Sequence, residues 1–200
     1  MKLLVVSDEE SRYIWDCFDS AVFGGVDLIL SCGDLKREYL DFLVSMIPAP
    51  LFFVRGNHDE SFLLRPPEGC VCVDGRVRAH KGIRVAGLGG CRGGRGNFVE
   101  FTDSQMEKRV SKLHREIRRA GGIDIFLTHA PAAGHGDGSG YTHRGFEEFL
   151  TIIDAHQPPY YFFGHQHRRY NTKGPFQFTR GATQMLNACG YLLIEYNKRM

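Results

Sequence analysis

The sequence predicts an α/β protein in which two stacked sheets are flanked by helices, and three observations carry that expectation. Short apolar runs bounded by turn residues alternate with longer segments whose apolar residues recur at helical spacing. The first sixty residues read strand–helix–strand–helix–strand, the order of parallel strands joined by right-handed crossovers. Hairpin-like runs in the middle and a strand-rich tail add further sheet beyond one parallel set.

KLLVV (2–6), VDLILSC (26–32) and PLFFVR (50–55) are mostly apolar and short, as strands buried on both faces are. SRYIWDCFDSAVF lies between the first two and has helical spacing. LKREYLDFLVSMI lies between the next two, with a stripe of Leu35, Tyr39, Leu40, Phe42, Leu43 and Met46 that Pro48 ends. In CVCVDGRVRAHKGIRVAGLGG (70–90), Asp74-Gly75 and Lys81-Gly82 separate short runs, which reads as a meander of hairpins. A helix is expected after Thr102, which stands at capping-box spacing from Gln105, with Met106, Val110, Leu113 and Ile117 on one face and Gly121 as its stop. IDIFLTH (123–129) is a strand, HRGFEEFLTIIDAHQPP a helix stopped by Pro158, and PYYFFGHQH (159–167) a strand. The tail from Phe176 reads as short strands joined by turns.

Bulk properties bound the function. The 200 residues suffice for a sizeable core and are few for two typical domains, so residues 1–200 are expected to form one domain. A net charge of +2 points to neither nucleic acid nor a membrane surface as partner. The cysteines at 17, 32, 70, 72, 91 and 189 are scattered without a CxxC pair, which reads as reduced cytosolic thiols. The N-terminal apolar run stops at Val6, short of the roughly 7–15 residues of a secretory signal. No run approaches the roughly 18–20 apolar residues of a membrane span. A cytoplasmic location is expected.

The chemistry lies in the polar residues at the strand tips. Ser7 and Asp8 come after the first strand, Gly33 and Asp34 after the second, and Gly56, Asn57, His58 and Asp59 after the third. His129 ends the strand at 123–128, and Gly164, His165, Gln166 and His167 come after 159–163. Ligands of open α/β sheets bind beyond the carboxyl ends of the strands, so these side chains are expected at one edge. Singly, an aspartate there caps a helix, an asparagine supplies a left-handed turn, and a histidine is more often structural than a ligand. Together, carboxylate, amide and imidazole form a donor set for Mn²⁺, Fe²⁺ or Zn²⁺, with too many histidines for a dedicated Ca²⁺ or Mg²⁺ site.

The series SD, GD, GNHD, TH and GHQH, spanning residues 8 to 167, resembles the calcineurin-like metallophosphoesterase superfamily. That resemblance implies a four-layer α-β-β-α sandwich of two mixed sheets between helices. It also implies a centre of two divalent metal ions, Mn²⁺ first, with Fe²⁺, Zn²⁺ or Mg²⁺ as alternatives. Asp34 would bridge the ions, Asp8 and His167 would complete one, and Asn57, His129 and His165 the other. A hydroxide bridging the ions would attack a phosphomonoester or phosphodiester. His58 resembles the family histidine that stabilises the phosphoryl charge or protonates the leaving oxygen.

One position departs from the family. Its first motif is usually Asp-x-His, and here Glu10 stands at the histidine. Glu10 would bind the first metal through oxygen, or point away, or mark an impaired site in a relative that has become a protein-binding scaffold.

Other segments carry less. GLGGCRGGRGN matches neither a dinucleotide fingerprint nor a P-loop; its Arg92 or Arg95 would hold a substrate phosphate, or the loop is simply exposed. The polar loop after His129 carries His135, Asp137, His143 and Arg144, and either shapes the pocket or is surface; His135 and Arg144 are its substrate-binding candidates. The basic run KRVSKLHREIRRA reads as a solvated helix face, and Cys70-x-Cys72 as core. The expected partner is a small phosphate ester, with no membrane and with nucleic acid disfavoured; a nuclease-type phosphodiesterase is the remaining alternative.

Overall fold

A computed structural model describes residues 1–94, 98–167 and 176–197. In chain order the first part runs β1 (Lys2–Ser7), α1 (Arg12–Asp16), α2 (Ser20–Phe23), β2 (Leu28–Ser31), α3 (Arg37–Met46), β3 (Leu51–Phe53) and β4 (Cys70–Cys72). The middle holds β5 (Val77–His80), β6 (Ile83–Leu88), β7 (Cys91–Arg92), β8 (Glu100–Phe101) and α4 (Asp103–Arg119). Then come β9 (Ile125–Thr128), α5 (Glu147–His156), β10 (Tyr160–Phe163), β11 (Gln177–Arg180), β12 (Thr183–Asn187) and β13 (Gly190–Glu195).

Two large sheets result. One has the order β13-β1-β2-β3-β4, the other β11-β12-β10-β9-β6-β5, and β7 pairs with β8 in a small third sheet. β1, β2, β3 and β4 are mutually parallel, as are β12, β10, β9 and β6, while β13, β11 and β5 join antiparallel. Both sheets are therefore mixed.

Side-chain alternation explains the stacking. Leu3, Val5, Leu28, Leu30 and Phe52 of the first sheet pack with Ile83, Val85, Ile125, Leu127 and Phe162 of the second in a core between the sheets. The intervening Leu4, Val6, Ile29, Leu51 and Phe53 turn outward to Ile14, Phe23, Tyr39, Leu40 and Leu43 of the first three helices. Phe126, Tyr161 and Phe163 of the second sheet turn to Met106, Val110, Leu113, Ile117, Phe149 and Ile152 of α4 and α5. The four layers are helix, sheet, sheet, helix.

Several expectations are corrected. Residues 11–23 form two short helices, because Asp19 accepts from Ala21 N–H at 2.8 Å and starts a new turn. Asp74-Gly75 is not a hairpin turn: β4 lies beside β3 in the first sheet and β5 in the second, so this turn carries the chain between sheets. Lys81-Gly82 does close a hairpin, with φ of 46° and 79°. Met46 is 44% exposed and leaves the apolar stripe of α3, and Cys70 and Cys72 are half-buried against the core. α5 begins at Glu147 because Gly145 presses on the Ala132–Ala133 backbone and Phe146 bridges Ala132. The capping box of Thr102 and Gln105 forms as expected.

Candidate metal centre

The carboxyl ends of β1, β2, β3, β9 and β10 meet at one edge of the sandwich. Three residues just past strand ends take left-handed backbone: Asp8 (φ 62°), Asp34 (φ 57°) and His165 (φ 66°). Non-glycine residues seldom adopt it, and such backbone clusters at functional sites.

Polar atoms from three other loops converge on His129, which is fully buried. Its Nε2 lies 2.9 Å from Asn57 Oδ1, 3.1 Å from His165 Nδ1 and 3.3 Å from Asp34 Oδ2. The outer ring nitrogens fix the tautomers. His129 Nδ1 donates to the Cys32 carbonyl at 2.8 Å, and His165 Nε2 to the Thr142 carbonyl at 2.9 Å. With those protons placed outward, two imidazole lone pairs, a carboxylate oxygen and an amide oxygen face one another. Acceptors turned inward need a cation or a proton between them, and histidines held from behind by carbonyls are the usual support of a metal site. The donor set fits a divalent ion of the Mn²⁺, Fe²⁺ or Zn²⁺ kind.

Electrostatics agree. Burial opposes a charge on His129, yet the Asp34 carboxylate raises its pKa to about 9. Burial likewise pushes Asp34 up, but His129 and the His58 backbone N–H outweigh it and hold Asp34 at about 2. Burial, with the His129 charge beside it, lowers His165 to about 3.

Asp8 is placed nearby, its two carboxylate oxygens each 2.9 Å from the His165 backbone N–H. Burial raises its pKa. Asp59, which the motif GNHD contains but which has no expected role, organises the loop: it accepts from Gly56 N–H and Asp34 N–H at 2.8 Å each. Burial, with Asp34 adding repulsion, raises Asp59 to about 6. His58 is exposed and lines an open cleft of about 450 Å³ with Asp34, Glu10, Lys36 and Arg65.

Glu10 does not join the cluster. Its Oε1 lies 3.3 Å from Lys36 N and 3.8 Å from Lys36 Nζ. The N-cap of α3, Lys36, has no capping side-chain bond of its own, and Glu10 places a carboxylate at the positive end of that helix. Glu9 is found beside the site instead, its Oε1 3.4 Å from His167 Nδ1. Asp8 causes the exchange: its left-handed backbone and the 2.6 Å bond from Glu9 N to Ser7 O make a three-residue turn that redirects the side chains after it. Motif spacing carries no signal of that turn.

The loop candidates within the described residues have neighbours of their own. Arg92 is buried, paired with Asp103, bonded to the Gly145 carbonyl at 2.9 Å and stacked on Phe146. It lines a separate pocket with Arg144. His135 bonds the Ala133 carbonyl and packs edge-on against Phe178. Arg95 lies outside the described residues. From the same loop as His135, His143 stacks on His165 with centroids 5.0 Å apart, although it is not among the substrate-binding candidates. The basic face of α4 lines a cleft of about 510 Å³ with Arg76 and Arg78, and none of the strand-tip residues lines it.

The α-β-β-α sandwich thus gathers histidines, aspartates and an asparagine at its strand tips, a donor set that fits divalent metal ions. The model of the calcineurin-like phosphoesterase family matches residues 1–169, and the chain belongs to that family. A lariat debranching enzyme of Drosophila pseudoobscura pseudoobscura is 25% identical over 227 residues, covering 84% of this chain and 42% of that protein. The UPF0046 protein T07D4.2 of Caenorhabditis elegans is 39% identical over 70 residues, 34% of this chain and 16% of that protein. The chain thus spans less than half the length of these curated relatives. Among solved structures, TT1561 of Thermus thermophilus superposes with a TM-score of 0.62 at 17% identity, covering 94% of this chain and 89% of that one, a likeness of fold. No helix among the described residues is long and apolar enough to cross a membrane.

Proposed function

We propose that this chain hydrolyses a phosphomonoester or phosphodiester of a small molecule at the strand-tip cluster, using two divalent ions. The convergence of His129, His165, Asp34 and Asn57 carries the reading. Bound ions would supply Lewis acidity toward the phosphate and an activated water. Asp34, Asn57, His129 and His165 would hold one ion, with Asp34 shared toward Asp8 and His167 for the other. The remaining work falls to the chain's own groups. Asp59 keeps Asp34 and Gly56 in place through their N–H groups. His58, on the cleft wall, faces the phosphate, stabilises its charge or gives a proton to the leaving oxygen. The cleft volume of about 450 Å³ suits a small substrate, and Lys36 and Arg65 bring cationic groups to it.

The test is hydrolysis of p-nitrophenyl phosphate and bis-p-nitrophenyl phosphate by chelator-treated protein before and after divalent ions are restored. Activity is expected only after restoration, and His58→Asn is expected to lower kcat by roughly 10²–10⁴-fold. An unchanged rate in that variant excludes the role given to His58. The lariat debranching relative and the basic cleft on α4 favour a second reading, a phosphodiester within RNA. Faster turnover of a branched oligonucleotide than of both small esters would select it.

A further inference from the structure

The β1 side of the site holds a donor group of which the family motifs name only His167. Glu9, His167 and Cys189 each present one ligand atom, and these atoms lie within 4.8 Å of one another. The 3.4 Å between Glu9 Oε1 and His167 Nδ1 is the spacing a shared ion needs: ordinary zinc–nitrogen and zinc–oxygen bonds give a tetrahedral edge of about 3.4 Å. Cys189 is 3% exposed and lies beyond the residues that the family model matches. Its backbone bridges Ser7, which puts it next to Asp8. Asn187 locks the arrangement, accepting from Cys189 N–H at 2.9 Å and donating to the Gln166 carbonyl at 2.8 Å. One amide thereby ties the cysteine to the turn that carries His167.

We infer that Glu9, His167 and the Cys189 thiolate are ligands of the second divalent ion, with Glu10 excluded by its bond to Lys36. This rests on the two-ion reading above. Binding would release the thiol proton to solvent, and the sulfur ligand would make this position prefer Zn²⁺ or Fe²⁺ over Mn²⁺ or Mg²⁺.

Cobalt reports the ligand directly, because a thiolate on Co²⁺ produces a sulfur-to-metal charge-transfer band in the near ultraviolet. The full chain is stripped with chelator and titrated with Co²⁺ alone. The band is expected in the parent, absent in Cys189→Ser and retained in Cys32→Ala. Glu9→Gln should lose about one cobalt per chain and Glu10→Gln none. If Cys189→Ser fails to fold, the contrast between the two glutamate variants still decides. A parent that binds cobalt, loses it on His165→Asn and shows no thiolate band overturns this inference and leaves the metal reading standing. A parent that binds no cobalt overturns both.

Discussion

A Cβ on Gly56 would lie 2.0 Å from Asp34 Oδ1, and one on Gly164 would lie 2.0 Å from Ser7 Oγ and 2.5 Å from Asp8 Oδ2. These glycines let four strand ends approach, β3 to β2 and β10 to β1, so that their polar side chains come close. Gly56→Ala is therefore expected to destabilise the fold by about 1–3 kcal/mol and to displace Asp34 from His129. Chemical unfolding measures the first effect and metal affinity the second; a variant as stable and as metal-avid as the parent would show that the tips can spread at no cost. The close approach is partly legible in the sequence, since GD, GNHD and GHQH each have glycine before the functional residue. The choice of Glu9 over Glu10 is not, because it depends on the backbone sign at Asp8.

The two sheets are tied near the site by a charged network rather than by apolar contact alone. Asp74, in the turn between sheets, pairs with Arg55 after β3 at 3.2 Å and with Arg109 of α4, and accepts from Gly89 N–H at 2.8 Å. Arg109 also donates to the Gly89 carbonyl at 2.8 Å. Asp74→Ala leaves a largely buried guanidinium without its carboxylate, and an equilibrium unfolding loss of about 3–5 kcal/mol is expected. A loss near zero would mean that solvent replaces the partner. At the far end of α4, His114 Nδ1 lies 3.0 Å from His156 Nε2 of α5. Burial first, then the nearby Arg118 charge and, for His156, the His114 charge, hold both below the ordinary 6.5. Groups depressed in the folded state bind more protons when unfolded, so their stabilisation is full above that value and is lost as pH falls through the folded values. Thermal unfolding should therefore show a larger drop between about pH 7.5 and about pH 5.5 in the parent than in His156→Gln. Equal drops would remove the pair from the pH response.

The sandwich is legible in the sequence because its strands are apolar on both faces: Leu3 and Val5 face the other sheet while Leu4 and Val6 face helices, and runs such as KLLVV announce that double burial. What periodicity does not encode is which sheet a strand enters, and so Asp74-Gly75 reads as a hairpin turn although it is a crossing. Nor does it encode which distant residues meet, such as Arg92 with Asp103 and Phe146, His135 with Phe178, and Cys189, far along the chain, with His167. The two-ion phosphoesterase centre proposed at the strand ends is tested most directly by counting metal. Elemental analysis of protein purified without chelators should find about two divalent ions per chain, falling to about one or fewer in Asn57→Ala with the fold intact by circular dichroism. Protein that carries no divalent ion, and takes none up on dialysis against Zn²⁺, Fe²⁺ or Mn²⁺, would contradict it.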